Sequence, residues 1–246
     1  MDNCIATFSE LHEALSAFKT LGARWIFRGH GSHRWSLVPK AGRIKWPKQT
    51  TDLDFFEAWK RRAIEYTTIS PETDWDWLAI AQHHGLATRL LDWTMNPLAA
   101  AFFALECDTG EDASLFAILP KRQFDPKRVS IDEVESKGGI AVFRPRGVAQ
   151  RISRQAAVFS VHAPPSLPLG APVEGERLEK LILSCHARKE LLQDLDYYGV
   201  ICATLFPDLD DLSHYLNWYA ENGLNIESST ADGKFMEIRD EARAPR

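Results

Sequence analysis

Residues 96–120, NPLAAAFFALECDTGEDASLFAILP, place a helix directly before a strand. Asn96-Pro97 is a helix start. The Asn side chain caps, and Pro fits the first helical position because the N–H it lacks has no intrahelical partner there. The helix that follows buries Leu98, Phe102 and Leu105. Ser114–Leu119 is an apolar run of strand length, closed by Pro120. A capped helix leading into a buried strand points to an α+β architecture.

Reading outward supports it. Upstream, Ser9 is a candidate cap for a helix with Leu11, Ala14, Leu15 and Phe18 on its apolar face, ended by Gly22. Arg24-Trp25-Ile26-Phe27 reads as a short strand stopped by Gly29. Residues 29–50, rich in Gly, His, Ser, Pro and Lys, read as a long ordered loop. A second helix starts at Asp52, with Phe56, Trp59, Ala63 and Tyr66 on one face. A third covers 74–84. Downstream, 121–139 reads as a loop or weak helix, and Gly139–Phe143 and Val158–Val161 as strands. The Pro/Gly-rich stretch 163–175 reads as a surface connection. Lys180–Ser184 reads as a strand, and Ala187–Tyr198 as a helix with Leu191, Leu195 and Tyr198 inward. Val200–Phe206 reads as a strand. A last helix begins at Pro207, faced by Leu209, Leu212, Leu216 and Tyr219, with Asp208, Asp210 and Asp211 complementing its dipole. The expected fold is one α+β domain over 1–246, with its core at about 24–216. Five or six strands, in a mixed or antiparallel sheet, are flanked by helices. The polar tail from about 227 stands outside that core.

Composition bounds the function. With 246 residues, 45% hydrophobic and 26% charged, the chain resembles an ordinary folded globular protein. A net charge of −5 argues against a non-specific nucleic-acid coat protein. No apolar run has the length of a membrane span, and the N-terminus has no secretory pattern, so no membrane is expected and the expected location is the cytoplasm. Cys4, Cys107, Cys185 and Cys202 form no Cys-x-x-Cys pair and read as reduced, mostly buried thiols.

Three constellations carry possible chemistry. In Phe27-Arg28-Gly29-His30-Gly31, an arginine at a strand end precedes two glycines. A guanidinium and exposed backbone N–H groups can then converge on one anion, since the planar fork meets phosphate bidentately. The rival reading is a turn with a structural arginine. In Gln82–Thr94, polar groups stand among apolar ones and must be hydrogen-bonded. Arg89 and Asp92 are a candidate partly buried pair. Asp92 and Trp93 read as structural, whereas Gln82, His83 and Thr88 read at least as well as functional. The third is Arg144, Arg146, Arg151 and Arg154, followed by Gln155, within an acid-free stretch at 136–173. It is a candidate phosphate-binding surface for a nucleotide, DNA or RNA, or else a solvated basic face. Metal binding fits poorly. Adjacent His83 and His84 diverge in regular structure, and His30 and His33 add no ligand spacing. There is no Gly-x-Gly-x-x-Gly, P-loop or Gly-x-Ser-x-Gly elbow, and Cys185 beside His186 reads as structural.

These residues resemble the FRG family, named after its aromatic-Arg-Gly motif, here Phe27-Arg28-Gly29. Trp35-Ser36-Leu37-Val38-Pro39 with Arg43, Gln82–Thr94 with Asn96-Pro97, Arg151-x-x-x-Gln155-x-x-x-Phe159 and Leu205–Asp210 follow in family order. The family is frequent in bacteria and phages, in systems that resemble anti-phage defence. A weaker similarity is to ADP-ribosyltransferases, which implies an ADP-ribosyltransferase-like fold and NAD as substrate. It implies that Arg28, Gly29, His83, His84, Thr88, Arg89 and Arg151 contact the nucleotide. It also implies that Arg28, His83 and Gln155 serve the reaction, with a nucleic acid as acceptor. Ala157 stands where some DNA-modifying members have a glutamate, a departure from the pattern. Two rival readings follow: a non-catalytic nucleotide or nucleic-acid binding module, and a protein-interaction component of a defence system.

Overall fold

The computed structural model describes residues 4–19, 23–67, 71–145, 157–170, 177–205 and 209–222. They form two compact units, Met1–Val200 and Ile201–Arg246.

The first unit is built on one sheet. Its strands are β1 (Ile26–His30), β2 (Leu90–Thr94), β3 (Ala113–Leu119), β4 (Gly139–Phe143), β5 (Ala157–Ala163) and β6 (Arg177–Leu183). They lie in the order β4-β5-β2-β1-β3-β6, every neighbour antiparallel. The helices are α1 (Phe8–Ser16), α2 (Asp52–Ala63), α3 (Asp74–His83), α4 (Pro97–Glu106), α5 (Ile131–Lys137) and α6 (Arg188–Tyr197). The α+β class and the open antiparallel sheet agree with the sequence reading.

The two faces of the sheet are covered differently. On one, α2, α3 and α5 bury Phe56, Trp75, Leu78, Ile131 and Val134 against Leu90, Phe143, Phe159 and Val161. Here α4 also lies against β1. Its wall is alanine, with Ala99, Ala100, Ala101 and Ala104 fully buried. That permits an approach so close that a Cβ on Gly29 would stand 2.1 Å from the Ala100 carbonyl oxygen. Gly29 therefore does not stop β1, as its residue type suggests, but lies inside it. On the other face, Ile26, Leu91, Trp93, Phe116, Ile118 and Val158 are covered by loop residues Leu37 and Leu169. The two loops are tied together where the Leu169 N–H donates to the Leu37 carbonyl, at 3.0 Å.

Capping sets the helix starts. Thr7 caps α1 through a capping box with Glu10, two residues ahead of the expected Ser9. Thr51 with Asp54, Thr73 with Asp76, and Ser130 with Glu133 repeat the device. The last of these makes α5 out of the expected loop or weak helix. Asn96 caps α4 as expected, its side chain accepting from the Leu98 N–H at 3.0 Å.

Several expectations are corrected. β2 has no counterpart in the sequence reading, because its central Asp92 interrupts a five-residue run. Tyr66 and Tyr198 are exposed rather than inward, since α2 ends at Ala63 and α6 at Tyr197. Of the four free cysteines only Cys202 is buried. Gly22 and the tail from 227 lie outside the described residues.

In the second unit, the expected strand at Val200–Phe206 is a short helix, α7 (Cys202–Leu205). A short apolar run has no period that separates a strand from a buried helical turn. α8 (Leu209–Glu221) follows with Asp210 and Asp211 in its first turn. Its expected inward residues Leu209, Leu212 and Leu216 are exposed, and Tyr219 is buried. Among the described residues, no helix is long and apolar enough to cross a membrane.

Candidate functional site

β1 pairs with β3 along its whole length, from Ile26 opposite Ile118 to His30 opposite Ser114. With β2 it pairs only at Phe27 opposite Thr94. Beyond that point the two strands part, and the Arg28 side chain occupies the parting. Its Nη1 donates to the Asp92 carbonyl at 2.7 Å and stands 3.7 Å from the Asp92 carboxylate. Its Nε donates to His30 Nε2 at 2.9 Å. Nη2 has no hydrogen-bond partner among the described residues.

The Arg28 side chain is 20% exposed and the Asp92 side chain 54%. Burial pulls the Arg28 pKa below its ordinary value. Asp92 pushes it up, and the nearby positive charge of Arg43 pushes it down. Arg28 is thus a largely buried cation whose one carboxylate neighbour is long and half in water.

His30 holds this arginine in place. Because Nε2 accepts from Arg28, the ring proton sits on Nδ1, which faces the Trp35 carbonyl at 3.4 Å. Burial, then the charge of Arg28, pushes the His30 pKa down to about 3, so the ring is neutral near pH 7. Asp92 is fixed from the other side. Its Oδ2 accepts from Gln82 Nε2 at 2.9 Å, and Gln82 Oε1 accepts from the Thr88 hydroxyl at 2.5 Å. Thr88 in turn accepts from the Leu90 N–H at 3.2 Å, anchoring the chain of contacts to β2.

A loop borders the parting. The 3-10 turn Lys40–Arg43 is fastened by the Ala41 N–H to the Thr88 carbonyl at 3.1 Å and by Lys40 Nζ to the Gly85 carbonyl at 3.0 Å. Gly42 lies so near Pro165 that a Cβ would meet its carbonyl oxygen at 2.1 Å. Under this loop runs a second polar file on the same sheet face. Trp93 Nε1 donates to Ser160 Oγ at 2.9 Å, Ser160 Oγ meets His162 Nε2 at 3.1 Å, and His162 Nδ1 meets the Leu167 carbonyl at 2.7 Å. Only a ring protonated at Nδ1 satisfies the Leu167 acceptor, so Nε2 accepts from Ser160. Burial is the main force pushing the His162 pKa down to about 4; the charge of Arg28 adds to it.

Residues 23–113, which contain Arg28, Gln82, Thr88 and Asp92, match the family model of the FRG domain. The chain carries an FRG domain. No curated protein and no solved structure matches it.

The residues expected to work together in the FRG domain separate into two groups. Arg28 and Thr88 share the site through Asp92 and Gln82. Arg89 does not join Asp92. Arg89 precedes β2 and instead makes a bidentate pair with Asp52, Nε and Nη2 each at 2.8 Å, and a further bond to Glu135. Burial alone would lower its pKa, but the Asp52 and Glu135 carboxylates raise it. Arg89 is closed, Arg28 open. His83 and His84 end α3, with rings 5.0 Å apart and His84 exposed. Gln82, not either histidine, carries the bond to Asp92. Arg144 is exposed just after β4, while Arg146, Arg151, Arg154 and Gln155 lie outside the described residues.

The sequence reading missed Asp92 and His30 as site residues. Asp92 carries a signal in hindsight: an acidic residue between Leu91 and Trp93, both 2% exposed, on a central strand. His30 carries none beyond standing two residues after Arg28, on the same strand face.

Proposed function

We propose that the parting between β1 and β2 binds the phosphates of a nucleotide. The nucleotide is NAD, and the FRG domain acts as an ADP-ribosyltransferase-like enzyme. The observation that carries the reading is Arg28: a largely buried guanidinium, oriented by neutral His30, whose Nη2 has no partner among the described residues and whose carboxylate neighbour, Asp92, stands 3.7 Å from Nη1 and half in water. Burying a cation without compensation is costly, and a bidentate phosphate supplies the compensation. Arg43 adds a second positive charge. NAD and the transfer itself rest on the family resemblance.

The transfer balances as follows. The bond between ribose C1′ and the nicotinamide nitrogen breaks, its electron pair leaving with neutral nicotinamide. A lone pair on the acceptor forms the new bond to C1′, and the acceptor's proton passes to solvent. The ribose is cation-like at the crest, so the site supplies position and a facing negative charge. We assign that charge to Asp92, held by Gln82, in place of the carboxylate absent at Ala157. His83 and His84 stay assigned to the ribose and adenosine, and Gln155 to the nicotinamide ribose; Thr88, buried, acts only by holding Gln82. Arg151 is assigned to the phosphates, and Arg144, Arg146 and Arg154 to a nucleic-acid acceptor. The setting we propose is bacterial or phage conflict in the cytoplasm.

The test is nicotinamide release. Incubation with NAD, alone and with single-stranded DNA or RNA, should release nicotinamide. Arg28→Ala and Asp92→Asn should each reduce release at least about tenfold while leaving the fold intact, the scale of one lost electrostatic contact at a reacting centre. Absence of release with every acceptor would remove the transferase reading and leave a binding site.

A further inference from the structure

We propose that the exposed surface of residues 34–48 is a docking strip for single-stranded nucleic acid. This deepens the preceding reading, on which it rests only for the role of that strand as acceptor.

Between Arg28 and Thr51 the sequence has six cations, namely Arg28, Arg34, Lys40, Arg43, Lys45 and Lys48, and no Asp or Glu, in a chain of net charge −5. Five of the six, Arg34 onward, are exposed. Arg34 is paired with Glu111 at 3.0 Å, and Lys40 is tied to a carbonyl. Arg43, Lys45 and Lys48 have no ion pair among the described residues. The nearest acids in sequence are occupied: Asp52 by Arg89, and Asp54 by the capping box of α2.

Apolar rings interleave with these charges. Trp35 is 46% exposed. Trp46 packs at a tilt against the half-exposed Phe55, centroids 5.0 Å apart, and its Nε1 is fastened to the Ala41 carbonyl at 2.9 Å. Trp46 is therefore held against a fixed turn, whose Ala41 and Gly42 are locked against Thr88 and Pro165. Cations that track a backbone and aromatic faces that stack unpaired bases are the two needs of single-strand binding, and a duplex offers no unpaired face to such rings. The strip also adjoins the Arg28 parting. The Trp35 carbonyl faces His30 Nδ1, and the charge of Arg43 acts on both His30 and Arg28.

The test uses the full chain and fluorescently labelled oligonucleotides of about a dozen residues. Oligo-dT, oligo-U, a duplex and phosphatidylserine vesicles are the probes. Both single strands should bind, and the duplex should bind at least about tenfold more weakly. Four phosphate contacts give a log–log salt slope of about −3. Trp35→Ala should weaken binding about tenfold through lost stacking. The double variant Lys45→Glu/Lys48→Glu should weaken it further and flatten the slope, both variants keeping the wild-type melting temperature. NAD titrated against the same variants should bind as it does to the wild type. Equal affinity for duplex, binding to vesicles alone, or single-strand affinity unchanged in both variants would overturn the strip. Oligonucleotide binding without any NAD binding would instead uphold the strip and remove the reading of the cleft.

Discussion

In this FRG domain Arg89 is buried and Arg28 largely so, and their surroundings separate their roles. Arg89 has three donors spent on two carboxylates. Arg28 has one on the Asp92 carbonyl, 3.7 Å from that residue's carboxylate, one on a neutral histidine and one without a partner among the described residues. A guanidinium that is satisfied holds a structure together; one that is not has room for an anion. Arg28→Lys keeps the charge but loses the planar fork, and we expect it to bind NAD at least about tenfold more weakly than wild type by calorimetry. Gly29 is equally constrained. Any Cβ there collides with the α4 backbone at Ala100 and Ala104, and backbone cannot yield as a side-chain tip can. Gly29→Ala should cost at least about 2 kcal/mol in a urea unfolding experiment. An unchanged midpoint would show that α4 does not lie so close.

The helices on the closed face depend on one ion-paired element. Asp52 opens α2 and is 2% exposed with its partner Arg89, which also reaches Glu135 on α5. Removing one member of a buried pair leaves an uncompensated charge. Asp52→Ala should therefore destabilise the fold by about 3 kcal/mol, the lower end of the range because Glu135 remains. Unfolding with no change in stability would mean the pair is dispensable. At this scale the sequence was most informative where capping chemistry speaks. Asn96-Pro97 fixed α4, and the apolar run before Pro120 fixed β3. It was least informative where period fails. Leu90–Thr94 is a central strand disguised by Asp92, and Cys202–Leu205 is a helical turn disguised as a strand. The site was legible in part: Arg28 was recognisable from the glycines that follow it, whereas Asp92 and His30 enter it through the meeting of β1 and β2, which no local pattern encodes.

For the whole first unit, two buried histidines make stability depend on pH. His30 and His162 have folded pKa values of about 3 and about 4, below the ordinary value near 6.5. Between those values the unfolded chain binds more protons, so stability rises with pH. The contribution is present in full above about pH 6.5 and is lost progressively as pH falls toward about 4 for His162 and about 3 for His30. For His162 it amounts to about 3 kcal/mol. The melting temperature should fall over that window, and His162→Gln should flatten part of the fall. A pH-independent melting temperature from 7 to 4 would contradict the buried, neutral assignment.

The parting of β1 from β2 holds a largely buried cation between two strands that pair only at Phe27 and Thr94, and the function proposed here depends on an anion reaching it. The most direct measurement is a calorimetric titration of NAD into the wild-type protein and into Arg28→Ala, with circular dichroism to establish that both are folded. Saturable binding to the wild type is expected, weakened at least about tenfold in the variant. Equal affinity in the two, or no binding to the wild type, would contradict the proposed function.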